Sequence, residues 1–387
     1  MAGTVARDAL LLLALASFAY YLVAIVAALR FFRRPDAAAV PADFTPPISV
    51  LKPIYGLDRE TYQNYASFCA QDYPDYEILF CVSDEEDPAI PVIEQLARDF
   101  PLCHIKLLIG SEPLGVSDKV NKLCRMAGEA QHEILAVSDS DVRVEPQYLR
   151  AVAAPFRDPS VGAVTCLYRG LTDGSLAANL EAIGNSTDFT AGVLVAWLFA
   201  PVNFTLGATM ATTKKHLAEI GGFESLVDHF SDDYELGNRI AARGHRVELS
   251  TFPVSIVFPH QTLVDAFRHQ LRWNVSIRYS RPAGHLGLIF TQALPLALLA
   301  AIFAPSAGWA ISLLVSYLLL RGISAWVVGV YGMRDAGVRR HMELLPLRDA
   351  FAFVVWVASF FPQRIHWRGR EFYVRDKRLV PAAPREP

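Results

Sequence analysis

EILAVSDSDVRV, residues 133–144, decides the fold. Ile134–Val137 is a short, β-rich apolar run, and two acids, Asp139 and Asp141, follow it two positions apart. An apolar run of this length, bounded by polar residues, fits a strand buried on both faces. Working outward, similar runs recur at 48–51, 76–82, 104–109 and 162–167. Helix-like stretches lie between them at 60–70, 89–100 and 117–130. This βαβ rhythm predicts an α/β domain with a mostly parallel, doubly covered sheet. Ligands of such sheets bind beyond the carboxyl ends of the strands. Asp84, Asp87, Asp139 and Asp141 all fall just past strand ends. Further on, residues 207–213 read as a strand and 214–220 as a short helix. Residues 232–243 read as another helix, with Ser231 as N-cap and Gly244 just past its last turn.

The two ends of the chain differ from this middle. Apolar residues make up 52% of the 387, and the excess sits in terminal blocks. Residues 9–29 are almost unbroken apolar, and Arg30, Arg33 and Arg34 follow. That length spans a bilayer core. A signal peptide fits less well, because the run is long and the basic residues come after it. The trailing arginines place that end in the cytosol. Residues 286–305 and 309–333 are the next spanning stretches, and the second carries Arg321. A charge near mid-membrane costs roughly 2.5–3.5 kcal/mol on insertion scales, so Arg321 is expected to face protein or snorkel. Residues 350–361 are too few to span and suit a re-entrant or interfacial segment. The expected organisation is an anchor at 1–34, a linker at 35–47, a cytosolic catalytic domain at 48–262, and an amphipathic interfacial helix at 263–281. A membrane region at 282–365 and a basic tail at 366–387 complete it.

Net charge is −3, so nothing global favours nucleic acid. The five cysteines are odd in number and none is spaced as CxxC, which argues for buried thiols rather than a zinc site. The apolar run 189–202 is too short to span and suits either core or a flap against the membrane.

The acidic motifs carry the chemistry. Asp139 and Asp141, as i and i+2 of an extended segment, would point the same way and share one Mg²⁺ or Mn²⁺. Such a metal neutralises a leaving diphosphate. Asp84 and Asp87 suit a uracil N–H and ribose hydroxyls, while Lys52 and Lys119 suit the base or the diphosphate. Asp232 and Asp233 open a helix, where acids also complement the dipole; one of them would serve as general base toward a hydroxyl. Arg272 offers a planar donor fork for diphosphate, and Trp273 a stacking wall. His269 lies four residues before Trp273 on a basic, amphipathic stretch, 263–279, that suits an interfacial helix.

Together these segments resemble the ceramide glucosyltransferase family of inverting A-type glycosyltransferases, from about Ser49 to Arg375. SVLKP at 49–53 (with Lys52 and Pro53), DPA at 87–89, KVNKL at 119–123, SDSDVRV at 138–144, DDY at 232–234, LRW at 271–273 and WRGR at 367–370 carry the resemblance. It implies that Asp87, Asp139 and Asp233 are signature aspartates, with Asp233 as base. One position departs: His269 stands where the family usually has Gln or Arg. HQLRW also resembles the related hopanoid-associated bacterial glycosyltransferases, which leaves the acceptor open. The expectation is a multi-pass protein of a bacterial inner membrane that moves one sugar from a UDP-sugar to a lipid hydroxyl, ceramide first, with a hopanoid and UDP-N-acetylglucosamine as the alternative. A processive polysaccharide synthase would need more spans than about three. A silent nucleotide-sugar or lipid-binding protein would be expected to lose part of the acidic set, which here is complete.

The basic clusters predict an outside N-terminus and a cytosolic C-terminus. A reporter fused after Pro387 should therefore give a cytosolic signal. An external signal there would mean that 350–361 crosses the membrane.

Overall fold

The computed structural model describes residues 2–35, 44–361, 365–367, 370–375 and 378–381. Most of the linker at 35–47, Arg364 at the end of the membrane region, and Arg368 and Lys377 of the tail lie outside the described residues. The chain divides into two units that do not follow chain order. A helical unit comprises 1–33, 170–199 and 260–373, and a sheet unit comprises 34–169, 200–259 and 374–387.

In the sheet unit the strands are β1 (Ile48–Pro53), β2 (Tyr76–Val82), β3 (His104–Ile109), β4 (Ile134–Val137), β5 (Val142–Arg143), β6 (Val161–Leu171), β7 (Met210–Thr213) and β8 (Arg246–Val257). They form one sheet in the order β3-β2-β1-β4-β7-β6-β8-β5. The half read from the βαβ rhythm, β3-β2-β1-β4, is parallel throughout. The other half makes the sheet mixed: β7 runs antiparallel to β4 and β6, and β5 antiparallel to β8. β1 is buried along its whole length and β4 at every position, as strands covered on both faces must be. The covering helices include Thr61–Cys69, Ile90–Asp99 and Asp118–Glu129, close to the stretches expected. Asp118–Glu129 starts where the Ser117 hydroxyl accepts the Val120 amide, and its neighbour Asp118 favours the positive helix end.

In the helical unit, helix Ala2–Phe32 presents Ala14, Phe18 and Tyr21 to Ala293, Ala297 and Ala300 of helix Ala293–Ile302 and to Leu313 and Tyr317 of helix Ala307–Ala325. Small residues at such contacts let helix backbones approach. Leu12, Leu15, Leu22, Leu318, Leu319 and Ile323 stay exposed, as lipid-facing positions would. Among the described residues two stretches, Arg7–Phe32 and Ala307–Gly332, are long and apolar enough to cross a membrane. A third candidate is the pair Pro282–Thr291 and Ala293–Ile302, bent by 54° at its break. Helix Leu345–Ala358 has 14 residues, roughly 21 Å, short of a bilayer core. The apolar run 189–202 becomes helix Thr190–Phe199, which packs along Ala2–Phe32; the Phe31 and Trp197 rings meet edge-on at 5.1 Å.

Arg321 does face protein and is almost fully buried. Its guanidinium donates to Asp349 at 3.0 Å, Asp188 at 2.6 Å and Thr187 at 3.1 Å. Arg348 donates to Asp188 at 3.0 Å and to Gln270 at 2.5 Å, and Tyr317 donates to Asp349 at 2.9 Å. Asp188 reaches both arginines from a π turn at Asn185–Phe189, where a wider helical turn re-aims the side chains. Two cations thus meet two anions, the condition under which buried charge is tolerated. Removing one partner strands the others. Arg321→Met should cost about 3–5 kcal/mol, read as a lowered unfolding temperature in detergent; an unchanged transition would show that the network carries no stability.

Candidate active site

β1 and β4 are neighbours, although the chain builds β2 and β3 between them. The strand order therefore reverses at this pair, and ligands bind beyond the carboxyl ends of such strands. Lys52 lies near the end of β1, and Asp139 follows β4. Lys52 is fully buried, lies 3.8 Å from the Phe68 ring centroid and donates to the Asp139 carbonyl at 2.8 Å. Burial pushes its ammonium down to about 7, against the opposing pull of Asp139, Asp141 and Asp58. The same carbonyl accepts the Val142 amide at 3.3 Å. Residues 139–142 are therefore a tight turn, and the extended i, i+2 geometry expected from sequence is corrected: the pull of β5 into its own pairing with β8 folds the chain back here.

Lys119 reaches the Asp139 carboxylate at 2.8 Å and Asp232 at 3.2 Å. Burial alone would lower its pKa, but the charges of Asp139 and Asp232 prevail and hold the ammonium well above its usual range. Asp232 and Asp233 open helix Asp232–Ala242. Asp233 accepts the Gly207 amide at 3.1 Å and the Tyr234 amide at 2.7 Å. Burial, and then Asp232, lifts its carboxyl to about 6, while Lys119 pulls the other way. Gly207 lies between the two acidic motifs: a Cβ there would sit 3.1 Å from Asp139 Oδ2 and 3.6 Å from Asp233 Oδ2. Asp141 is lifted to about 7 by burial, then by Asp139 and Asp58.

Asp58 was not reached from the sequence, because a lone acid in a loop carries no pattern. Its Oδ2 is buried without a hydrogen-bond partner among the described residues. Burial raises its pKa, while a hydrogen bond from Ser140 and the charge of Lys52 hold it back. Five carboxylates, Asp58, Asp139, Asp141, Asp232 and Asp233, thus interact with two ammoniums, Lys52 and Lys119. The surplus negative charge and the orphaned Asp58 oxygen fit a divalent cation with oxygen ligands.

The other expected residues lie as follows. Asp87 is buried and accepts the Gly56 amide at 3.0 Å and the Ala89 amide at 2.9 Å, tying the loop after β1 to the start of helix Ile90–Asp99. Asp84 accepts the Glu86 amide of its own turn at 3.0 Å. Pro53 ends β1 opposite Cys81. His269, Arg272 and Trp273 belong to the helical unit, on helix Leu263–Ser280, which opens with a capping box between Thr262 and Asp265. The His269 and Trp273 rings lie 4.6 Å apart, and His269 Nδ1 is 2.6 Å from Glu181. Glu181, fully buried in helix Leu176–Gly184, also accepts from Gln261 at 2.5 Å. Nothing in its apolar helix marks it in the sequence.

The fold is that of an A-type glycosyltransferase. It aligns with a mannosyltransferase from Pyrobaculum calidifontis, solved with GDP-Man and Mn²⁺, at a TM-score of 0.56 and 18% identity over 92% of this chain and 99% of that one. Residues 9–380 match glycosyl transferase family 21, and the chain belongs to that family. This bears out the resemblance carried by the acidic motifs. Ceramide glucosyltransferase 1 of Caenorhabditis elegans is 30% identical over 254 residues, 65% of this chain and 54% of that protein. Ceramide glucosyltransferase 3 of the same organism is 24% identical over 357 residues, 85% of this chain and 73% of that protein. The chain thus spans about half the length of the first of these relatives.

Gly207→Ala tests the geometry. The added methyl must displace Asp139 by a few tenths of an ångström, while its 3.6 Å approach to Asp233 is ordinary contact. Turnover should fall by roughly 10–100-fold, since small misplacements of reacting groups are costly, with the unfolding temperature almost unchanged. Full activity would show that the Asp139 carboxylate tolerates displacement.

Proposed function

We propose that this protein transfers one hexose from a UDP-sugar to the hydroxyl of a membrane lipid, with ceramide and UDP-glucose as the favoured pair. The observation that carries the reading is the cluster of Asp139, Lys119, Asp232 and Asp233 at the strand reversal. The names of the curated relatives support the acceptor class, and so do two helices long and apolar enough to keep the chain at a membrane. We place the catalytic unit on the cytosolic side, by the arginines that follow the first span.

Asp233 acts as general base. Its lifted carboxyl draws the proton from the acceptor hydroxyl as that oxygen attacks the anomeric carbon. The bond to the diphosphate breaks on the opposite face, so the configuration inverts and UDP departs with the electron pair. Lys119, held protonated between Asp139 and Asp232, supplies positive charge beside the leaving group. Lys52 fixes the turn that presents Asp139 and Asp141. A Mg²⁺ or Mn²⁺ ion held by Asp139 and Asp141 would add charge for the diphosphate. Asp84 and Asp87 are assigned to the nucleoside side. Arg272 and Trp273 are assigned to diphosphate and sugar on their chemistry alone, and His269 to orienting Trp273.

Purified protein with labelled UDP-glucose and ceramide should yield a labelled glycolipid in organic extracts. EDTA should abolish it and Mg²⁺ or Mn²⁺ restore it. Asp233→Asn should lower turnover by roughly 10²–10⁴-fold. Because the base works only when ionised, the rate should fall as pH drops through about 6, or lower where a bound cation pulls the carboxyl down. Label confined to water-soluble or polymeric product would sink the lipid reading; label on a polyol lipid with UDP-N-acetylglucosamine would move the acceptor to a hopanoid.

A further inference from the structure

A second cluster of metal-binding groups lies in the sheet unit, apart from the acidic site. His216 and Glu219 stand three residues apart on the short helix Lys214–Glu219, and therefore on one face. His245 joins them from the turn that links helix Asp232–Ala242 to β8. One donor atom from each lies within 4.8 Å of the others. His245 Nε2 is already 2.6 Å from Glu219 Oε2, and the two imidazole rings lie 4.3 Å apart.

Three details make this more than a His–Glu contact. The Thr213 hydroxyl lies 2.9 Å from His216 Nδ1 and accepts the His216 amide at 3.1 Å. With Nδ1–H donating to that hydroxyl oxygen, Nε2 keeps its lone pair for a metal, and such outer partners orient metal-binding histidines. Gly162 backs His245 so closely that a Cβ there would fall 2.5 Å from the His245 Cβ, so the backbone is shaped around this histidine. The donor set of two imidazoles and one carboxylate suits zinc, with a fourth position left for water.

The strand register separates this cluster from the acidic site. β7 pairs antiparallel with β4, so Met210 faces Val137 and Thr213 faces Ile134. The acidic turn follows Val137, and the histidine helix follows Thr213. The two sites therefore lie at opposite ends of the same strand pair.

We propose that His216, Glu219 and His245 form a zinc-class site that clasps helix Lys214–Glu219 to the turn before β8. The metal steadies the far end of helix Asp232–Ala242, whose near end carries Asp232 and Asp233. The two sites select different ions: all-oxygen ligands take Mg²⁺ or Mn²⁺, and the imidazole pair takes Zn²⁺. Closing the donors to the ~3.3 Å spacing of a four-coordinate zinc needs side-chain movements of at most about 1.5 Å.

The test uses full-length protein in detergent, with any histidine tag removed and metals stripped by chelator. Zn²⁺ affinity is measured by competition with a chromogenic chelator. One equivalent should bind, raise the unfolding temperature and resist a large excess of Mg²⁺. His245→Gln and His216→Asn should each remove that equivalent, whereas Asp139→Asn should keep it. Thr213→Val should weaken binding about 10-fold, and Thr213→Ser should restore it. Zinc-edge absorption of the unmodified protein should show two imidazoles, a readout that holds even where a histidine variant fails to fold. Absence of a stoichiometric zinc, zinc retained in His245→Gln, or a shell without imidazole would each overturn the proposal. None of these outcomes depends on glycosyl transfer.

Discussion

A buried ammonium has to be paired, and in the sheet unit Lys52 finds its partner in the Asp139 carbonyl. That one contact joins the end of β1 to the turn after β4, across the pair of strands where the sheet order reverses. It uses the main chain of Asp139 and so leaves the carboxylate for other work. Lys119 then takes the carboxylate and carries the link on to Asp232. Gly207 leaves the space that lets Asp139 and Asp233 stand near each other. The site is a chain of dependencies that starts from one desolvated cation.

The two units treat buried charge in opposite ways. In the helical unit Arg321 and Arg348 meet Asp188 and Asp349, and two tyrosine hydroxyls add to the Asp349 shell. The sum is neutral, as an apolar surrounding demands. In the sheet unit five carboxylates interact with two ammoniums, and burial and mutual repulsion raise Asp141 to about 7 and Asp233 to about 6. Such an imbalance is costly unless a ligand offsets it, and acids perturbed in this way are candidates for a functional site. The neutral network is a structural solution; the charged one is the cluster on which the proposed chemistry rests.

The α/β fold was legible because β1 to β4 are short apolar runs separated by amphipathic helices, a signal each segment carries alone. The Asp139 motif was legible because it follows such a run. β8 gave no comparable signal: its 12 residues carry Glu248, Ser250, Thr251 and Ser255 among the apolar ones. In the mixed half β6 and β7 were legible as strands, at 162–167 and 207–213, but their antiparallel pairing was not, since such partners are chosen by long-range pairing. Asp58 and Glu181 were missed for a related reason. Each is a single acid in an unremarkable segment, and its burial is set by what packs around it.

The sequence by itself determined the parallel half of the sheet, the apolar spans and the order of the acidic motifs, because periodicity, length and strand-end position are local properties of the chain. It also placed Arg321 inside a span and required that it find a partner. Only the tertiary structure decided which groups meet: Lys52 with a carbonyl rather than a carboxylate, Asp139 with Asp233 around Gly207, Arg321 with Asp188 from a π turn 133 residues away. These pairings rest on desolvation and close packing between distant segments, and no window of sequence contains both partners.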